Sequence, residues 1–440
     1  MEAGVPKRIA TAIINSLKGG VVPRVGLEYV VVGRKAEIEA LLHDVDIIKD
    51  GGATFRYVVG KYGSGKSFLL QIIRNHATKQ GLVVVDADLS PERRLTGQQG
   101  QGLATYRELI KNMSTNTKPD GGALPLILEK WISAVKLQVA SETNISPDSA
   151  QFNEAVYKKI YAVINEIEGM VNGFDFGRVI AIYYKAAQEG DDEKKSLSLR
   201  WFKGEYTTKT EAKKDLGVTS IITDANWYDY IKILAVFLVK AGYKGMLVLI
   251  DEIVNIFKLP NTITRQYNYE KMLMMYNDTL QGKAEYLGII MGGTPQSVED
   301  PHKGVFSYEA LKSRLSEGRF STEGMRDLMA PIIRLEALTG EELYILIEKL
   351  KDIHADLYKY EAGITQEELT KFLEMEYSRV GADSKITPRE IIRDFVELLN
   401  IVYQNPDKTI IEVMGADEFE FAKNAISDEK IHAEFADFEV

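Results

Sequence analysis

The chain has 440 residues, 45% of them apolar and 27% charged, with a formal net charge of −10. These are the proportions of a globular protein of about two to four structural units, not of a disordered or fibrous one. With no cysteine and only five histidines, disulfides, thiol chemistry and a cysteine-ligated zinc site are excluded. No apolar run reaches the roughly 18 residues of a membrane span. The nearest, 231–250, is interrupted by Lys240 and Lys244. No N-terminal signal is visible, so a cytoplasmic protein is expected.

Residues 1–20 read as an amphipathic helix (Ile9, Ile13, Ile14, Leu17) closed by Gly19-Gly20, which makes 1–26 an N-terminal helical segment. Gly33-Arg34-Lys35-Ala36-Glu37-Ile38 is a loop entering a helix. Gly33 and Arg34 are therefore candidates for lining a base pocket, and a plain surface helix start is an equally good reading.

Phe55, Tyr57, Val58 and Val59 form an apolar strand-like run ahead of Gly60-Lys61-Tyr62-Gly63-Ser64-Gly65-Lys66-Ser67. This is a complete G-x-x-x-x-G-K-S loop of the Walker A type, and Phe68, Leu69, Leu70, Ile72 and Ile73 begin a helix after it. Glycines let such a loop fold back and aim successive N–H groups at one point. The following helix adds its positive end. Lys66 can reach the β- and γ-phosphates and the Ser67 hydroxyl can ligate Mg²⁺. Gly60, Tyr62, Gly63, Ser64, Gly65, Lys66, Ser67 and Phe68 are the candidate nucleotide contacts, and ATP with Mg²⁺ is the expected ligand set.

Further apolar runs at Leu82–Val85, Met246–Ile250, Leu287–Met291 and Ile332–Leu335, separated by helix-like segments, predict an α/β fold with a mainly parallel sheet. One β-α unit fills only about 30 residues, far fewer than separate Lys66 from Asp251. A large helical insertion is expected at about 105–223, with helices over 124–139, 149–171 and 177–188.

Met246–Ile250 ends in Asp251-Glu252. Beside a phosphate loop, Asp251 is a candidate metal ligand with Ser67, and Glu252 a candidate for polarising the attacking water. Leu287–Met291 runs into Gly292-Gly293-Thr294-Pro295, where Thr294 can face a γ-phosphate or simply occupy a turn. Arg314 can reach the nucleotide of an adjacent subunit, with Arg319 as its rival. Arg389, in the first turn of a capped helix, can report nucleotide state. Either arginine reads equally as a surface ion pair.

Beyond Leu335 the pattern turns helical. Thr339/Glu342, Thr365/Glu368 and Thr387/Glu390 are capping boxes, the last with Pro388 at the first helical position. The expected layout is an α/β core over 27–335, a helical lid over 336–405 and an acidic tail over 406–440. That tail carries ten acids against three lysines, which leaves the body near neutral. A solvated tail or a partner-binding segment both fit it. Arg93-Arg94 and Lys213-Lys214 are too short to make a nucleic-acid groove by themselves.

In this order the parts resemble AAA+ ATPases, most closely the initiator and loader branch. Gly4-Val5-Pro6, the run Phe55–Leu69, Asp88-Leu89-Ser90-Pro91-Glu92, Gly121-Gly122-Ala123-Leu124-Pro125, Asn268-Tyr269-Glu270 and Phe306–Leu311 further resemble the ATP-binding P-loop proteins of BREX-type phage-defence loci. The likeness covers roughly residues 4–400, the acidic tail excepted. It implies phosphate binding by Gly63, Gly65, Lys66 and Ser67, metal and water handling by Asp251 and Glu252, a sensor role for Thr294, where Asn is commoner, and a lid role for Arg389. It also implies a multi-protein defence system, often beside a helicase, on a DNA-related pathway.

The reading is an ATP-hydrolysing motor or switch that forms homo-oligomers and remodels DNA or a partner protein. The alternative is a nucleotide-gated adaptor that hydrolyses slowly and recruits a helicase or nuclease.

Overall fold

The computed structural model describes residues 4–143, 145–316, 326–380 and 387–415. Arg319 and most of the acidic tail lie outside them.

In chain order the elements are α1 (Lys7–Lys18), α2 (Leu27–Val30), α3 (Lys35–Lys49), β1 (Ala53–Val59), α4 (Lys66–Lys79), β2 (Val83–Asp88) and α5 (Gln101–Lys111). Five helices follow, α6 (Leu124–Glu142), α7 (Ala150–Glu168), α8 (Gly173–Glu189), α9 (Asp192–Phe202) and α10 (Lys209–Leu216), and then α11 (Trp227–Lys240). After β3 (Met246–Asp251) come α12 (Val254–Phe257), α13 (Thr262–Leu280), β4 (Leu287–Gly293), α14 (Pro295–Glu299), α15 (Glu309–Leu315) and β5 (Ile332–Arg334). The remaining helices are α16 (Gly340–Tyr358), α17 (Gln366–Val380), α18 (Pro388–Gln404) and α19 (Ile410–Met414). None among the described residues is long and apolar enough to cross a membrane.

The chain divides into two compact units, Gly33–Ala337 and a second made of Met1–Val32 with Leu338–Val440. In the larger unit five strands form one parallel sheet in the order β2-β3-β4-β1-β5. Both faces are covered, which is why the strands read as unbroken apolar runs. Successive residues alternate between faces. Tyr57, Val85, Val248, Ile289 and Met291 enter a core shared with the helices inserted between β2 and β3. Val58, Val84, Leu247, Leu249 and Ile290 pack against Leu41, Val45 and Ile48 of α3 and Leu69, Leu70 and Ile73 of α4.

One charged side chain interrupts β1. Arg56 is buried and pairs bidentately with Asp44, at 2.6 and 2.7 Å, while also donating to the Ala330 carbonyl at 2.6 Å. A buried guanidinium is tolerated only with such complete pairing.

The insertion has an aromatic centre. Phe176 packs against Phe202 at 5.1 Å and Trp201 against Tyr230 at 5.4 Å, both edge-on. Burying several rings in edge-to-face contact stabilises beyond the area they remove from water.

In the smaller unit, Ala10, Ile13, Ile14 and Leu17 are the buried face of α1, which packs on α16 and α18. The boxes at Thr339, Thr365 and Thr387 form as the spacing predicts.

Candidate functional site

The parallel order places three chain segments at one edge of the sheet, beyond the carboxyl ends of β1, β3 and β4, where open α/β sheets bind ligands. Because β4 lies between β1 and β3, its end is tied to both neighbours. Gly60 N–H donates to the Gly293 carbonyl and Ile253 N–H to that of Gly292, each at 3.1 Å.

The glycine-rich loop closes between β1 and α4. Gly63 and Gly65 adopt φ of +76° and +92°, conformations that suit glycine. A Cβ on Gly60 would lie 2.4 Å from Ser64 Oγ, so a larger residue there would displace the Ser64 hydroxyl. The Ser64 hydroxyl is buried without a hydrogen-bond partner, an orphan that an anion oxygen in the loop would satisfy. Lys66 Nζ donates to the carbonyls of Gly60 and Lys61 at 2.9 and 3.0 Å. Burial lowers the pKa of its ammonium below the usual lysine value, while Asp251 and Glu252 pull the other way. Tyr62 is 69% exposed at the loop tip, and Phe68 is half-buried in the first turn of α4.

Across from the loop, Ser67 Oγ donates to Asp251 Oδ2 at 2.7 Å. The other oxygen of Asp251 accepts the Glu252 N–H at 2.8 Å. Glu252 has φ of +63°, a left-handed conformation rare for a residue with a side chain and a strain that marks functional positions. Among the described residues no three acidic or histidine side chains gather to hold a metal alone. A hydroxyl and one carboxylate are the donor set expected for Mg²⁺, which keeps waters and takes its remaining ligands from phosphates.

Arg34, a candidate base-pocket residue, is buried and turned to the loop. Its Nη2 donates to the carbonyls of Ser64 at 3.1 Å and Glu336 at 2.7 Å. Gly33 precedes it with φ of +63°. Thr294 stands directly after β4 as the N-cap of α14, its hydroxyl accepting from Ser297 N–H at 3.1 Å.

Gly60, Tyr62–Phe68, Asp251 and Glu252 thus form one constellation, supported by Arg34. Arg314 is exposed on α15, donating to the carbonyl of Ala310 at 2.7 Å, and is hydrogen-bonded to none of them. Arg389 belongs to the smaller unit, where it donates to the Gly20 carbonyl.

Asp88 was not singled out from the sequence. It ends β2 in register with Asp251. Partial burial and the nearby charges of Asp251 and Glu252 raise its pKa to about 6. Its acidity depends on strand pairing, which has no local sequence signal.

Two surface hollows of about 600 and 330 Å³ lie along α6, and neither includes a residue of the loop. The geometry instead singles out the sheet edge.

The class defined by fold and site is an α/β protein with a five-stranded parallel sheet and a glycine-rich loop at its carboxyl edge, the architecture of a P-loop core. The chain belongs to the BREX system ATP-binding protein BrxC/D family, whose model matches residues 5–418. No curated protein matches it.

Proposed function

We propose that the protein is an ATPase of the AAA+ class that binds ATP with Mg²⁺, hydrolyses it, and uses the cycle to act on DNA or a partner protein within a phage-defence system. The observation that carries this reading is the Ser67–Asp251 hydrogen bond of 2.7 Å. It joins the first turn after the phosphate loop to the acidic tip of β3. The family's description as ATP-binding supports it independently.

The N–H groups of 63–67 and the Lys66 ammonium would hold the phosphates, and Ser67 and Asp251 the metal. Bound Mg²⁺ supplies positive charge that offsets what develops on the phosphate oxygens. Glu252 orients water and takes its proton as ADP and phosphate form. Thr294 senses the γ-phosphate from the neighbouring strand. Arg314, being exposed, reaches the nucleotide of an adjacent subunit in a homo-oligomer, and Arg389 couples nucleotide state to the helical unit, which acts as a lid.

The test is Mg²⁺-dependent turnover of the wild type, Lys66→Ala and Glu252→Gln, together with mass in solution with and without ATP. Lys66→Ala loses turnover by at least about 10²-fold. Glu252→Gln retains ATP and loses turnover. Unchanged turnover in Lys66→Ala overturns the reading.

A further inference from the structure

The chain is acidic as a whole, with a net charge of −10, yet one part of the insertion shows the solvent mainly positive charge. In α10, Lys-Thr-Glu-Ala-Lys-Lys-Asp-Leu, the acids and bases separate by face. Glu211 and Asp215, four residues apart, both turn to Arg200, at 2.7 and 3.9 Å. Asp215 also accepts from the Tyr206 hydroxyl at 3.1 Å, and Arg200 lies over the Tyr206 ring at 4.4 Å. The acidic charge of the helix is thus paired with Arg200 at partly exposed positions.

Lys209, Lys213 and Lys214 remain exposed, with no ion pair among the described residues. Lys209 and Lys213 are a like-charge pair one turn apart, an arrangement that destabilises a helix taken alone. Arg178 of α8 extends the row: its Nη2 lies 3.1 Å from where a Cβ on Gly217, the residue closing α10, would stand. Between residues 203 and 218, Glu205 is the one exposed acid.

We propose that Arg178, Lys209, Lys213 and Lys214 form a contact surface for the phosphate backbone of nucleic acid, read without base specificity. The two apolar residues of α10, Ala212 and Leu216, are buried. The helix therefore presents cations and hydroxyls with no apolar anchor, which suits a polyanion better than a protein interface. Lys213-Lys214 is too short to act alone, and the fold supplies the missing length. This surface deepens the proposed action on DNA but needs no ATP turnover.

The experiment measures binding of a fluorescent 30-base-pair duplex to the full-length protein by anisotropy, from about 50 to 200 mM salt. Four phosphate contacts predict a log–log salt slope near −3.6, an affinity loss on the order of 10²-fold across that range. The triple variant Lys209→Ala, Lys213→Ala, Lys214→Ala should lower the slope by about 3 and weaken binding at least tenfold at about 50 mM salt. Alanine suits an exposed helix position, so the fold should survive. A control triple, Lys158→Ala, Lys185→Ala, Lys371→Ala, removes equal charge from exposed helical lysines elsewhere and should leave binding intact.

Equal loss in both triples, no change in the first, or no duplex binding by the wild type overturns the proposal. So does capture of poly-glutamate at these lysines without duplex binding. Lys66→Ala should still bind duplex. A protein that binds DNA without hydrolysing ATP would sink the ATPase reading and leave this surface standing.

Discussion

Arg34 donates a hydrogen bond of 3.1 Å to the carbonyl oxygen of Ser64, fastening the entry of α3 to the middle of the phosphate loop. The same nitrogen holds the carbonyl of Glu336 at 2.7 Å. Arg34 therefore acts as a positioning residue, fixing a loop whose N–H groups must converge.

Replacing Arg34 with alanine removes a donor from two carbonyls and a cation from beside buried Glu37, at 3.7 Å. A loss of about 2–3 kcal/mol in stability is expected, with ATP affinity weakened about tenfold. Arg34→Lys keeps the charge but not the planar fork, and should recover only part of both. Denaturant unfolding and nucleotide titration check this. Weakened binding at unchanged stability would mean that Arg34 touches the nucleotide itself.

Glu252 carries a second prediction. Its left-handed φ of +63° costs about 1–2 kcal/mol for a residue with a Cβ. Glu252→Gly should raise stability by about 1 kcal/mol while removing turnover, and Glu252→Gln should remove turnover at unchanged stability. Thermal unfolding beside a phosphate-release assay separates the two. A glycine variant no more stable than the glutamine one would remove strain from the account.

Asp88 gives a pH dependence. Its pKa in the fold is raised to about 6 from the ordinary 3.8, so between those values the folded chain holds a proton that the unfolded chain has released. Stability from this group is greatest below pH 3.8 and falls as pH rises through about 6. Asp88 is exposed by surface area, so solvent damps the effect. Asp88→Asn should gain little over the wild type near pH 3.5 and more at pH 7.5, in metal-free buffer. A gain that is equal at both pH values would exclude this origin.

Much of the fold is legible locally. A strand buried on both faces announces itself as an apolar run, and all five were read in this way, with shifts of a few residues at their ends. The boxes at Thr339, Thr365 and Thr387 are written within four residues each. The loop and Asp251-Glu252 were legible as candidates because each is a short run of adjacent residues. What depends on register was not. The raised pKa of Asp88 needs β2 beside β3, the role of Arg34 needs α3 against the loop, and the basic face of α10 needs Arg200 to draw both acids inward. Nor does the sequence tell that α1 packs with α16 and α18, more than 300 residues later.

Gly292 is the sharpest case of register fixing where a candidate site residue can stand. It lies in β4 opposite Val58 and contributes no side chain to any site. A Cβ there would stand 2.2 Å from Oδ1 of Asp251 and 2.9 Å from its Cγ, closer than atoms can approach. Gly292→Ala must therefore rotate or shift the Asp251 carboxylate, whose oxygens receive the hydrogen bonds from Ser67 and from Glu252 N–H. Overpacking of this kind costs about 1–3 kcal/mol, and displacement of the carboxylate should lower Mg²⁺-dependent turnover about 10²-fold. Gly293→Ala is the control. Its Cβ meets Ser297 Oγ at 3.0 Å and Val298 Cγ2 at 3.1 Å, contacts that small side-chain movements relieve without touching Asp251. Turnover and ATP affinity with and without Mg²⁺ distinguish the two variants. Gly292→Ala should keep its metal-free nucleotide binding and lose the gain that Mg²⁺ brings, while Gly293→Ala keeps both. Full turnover in Gly292→Ala would mean that the position of the Asp251 carboxylate does not control the reaction.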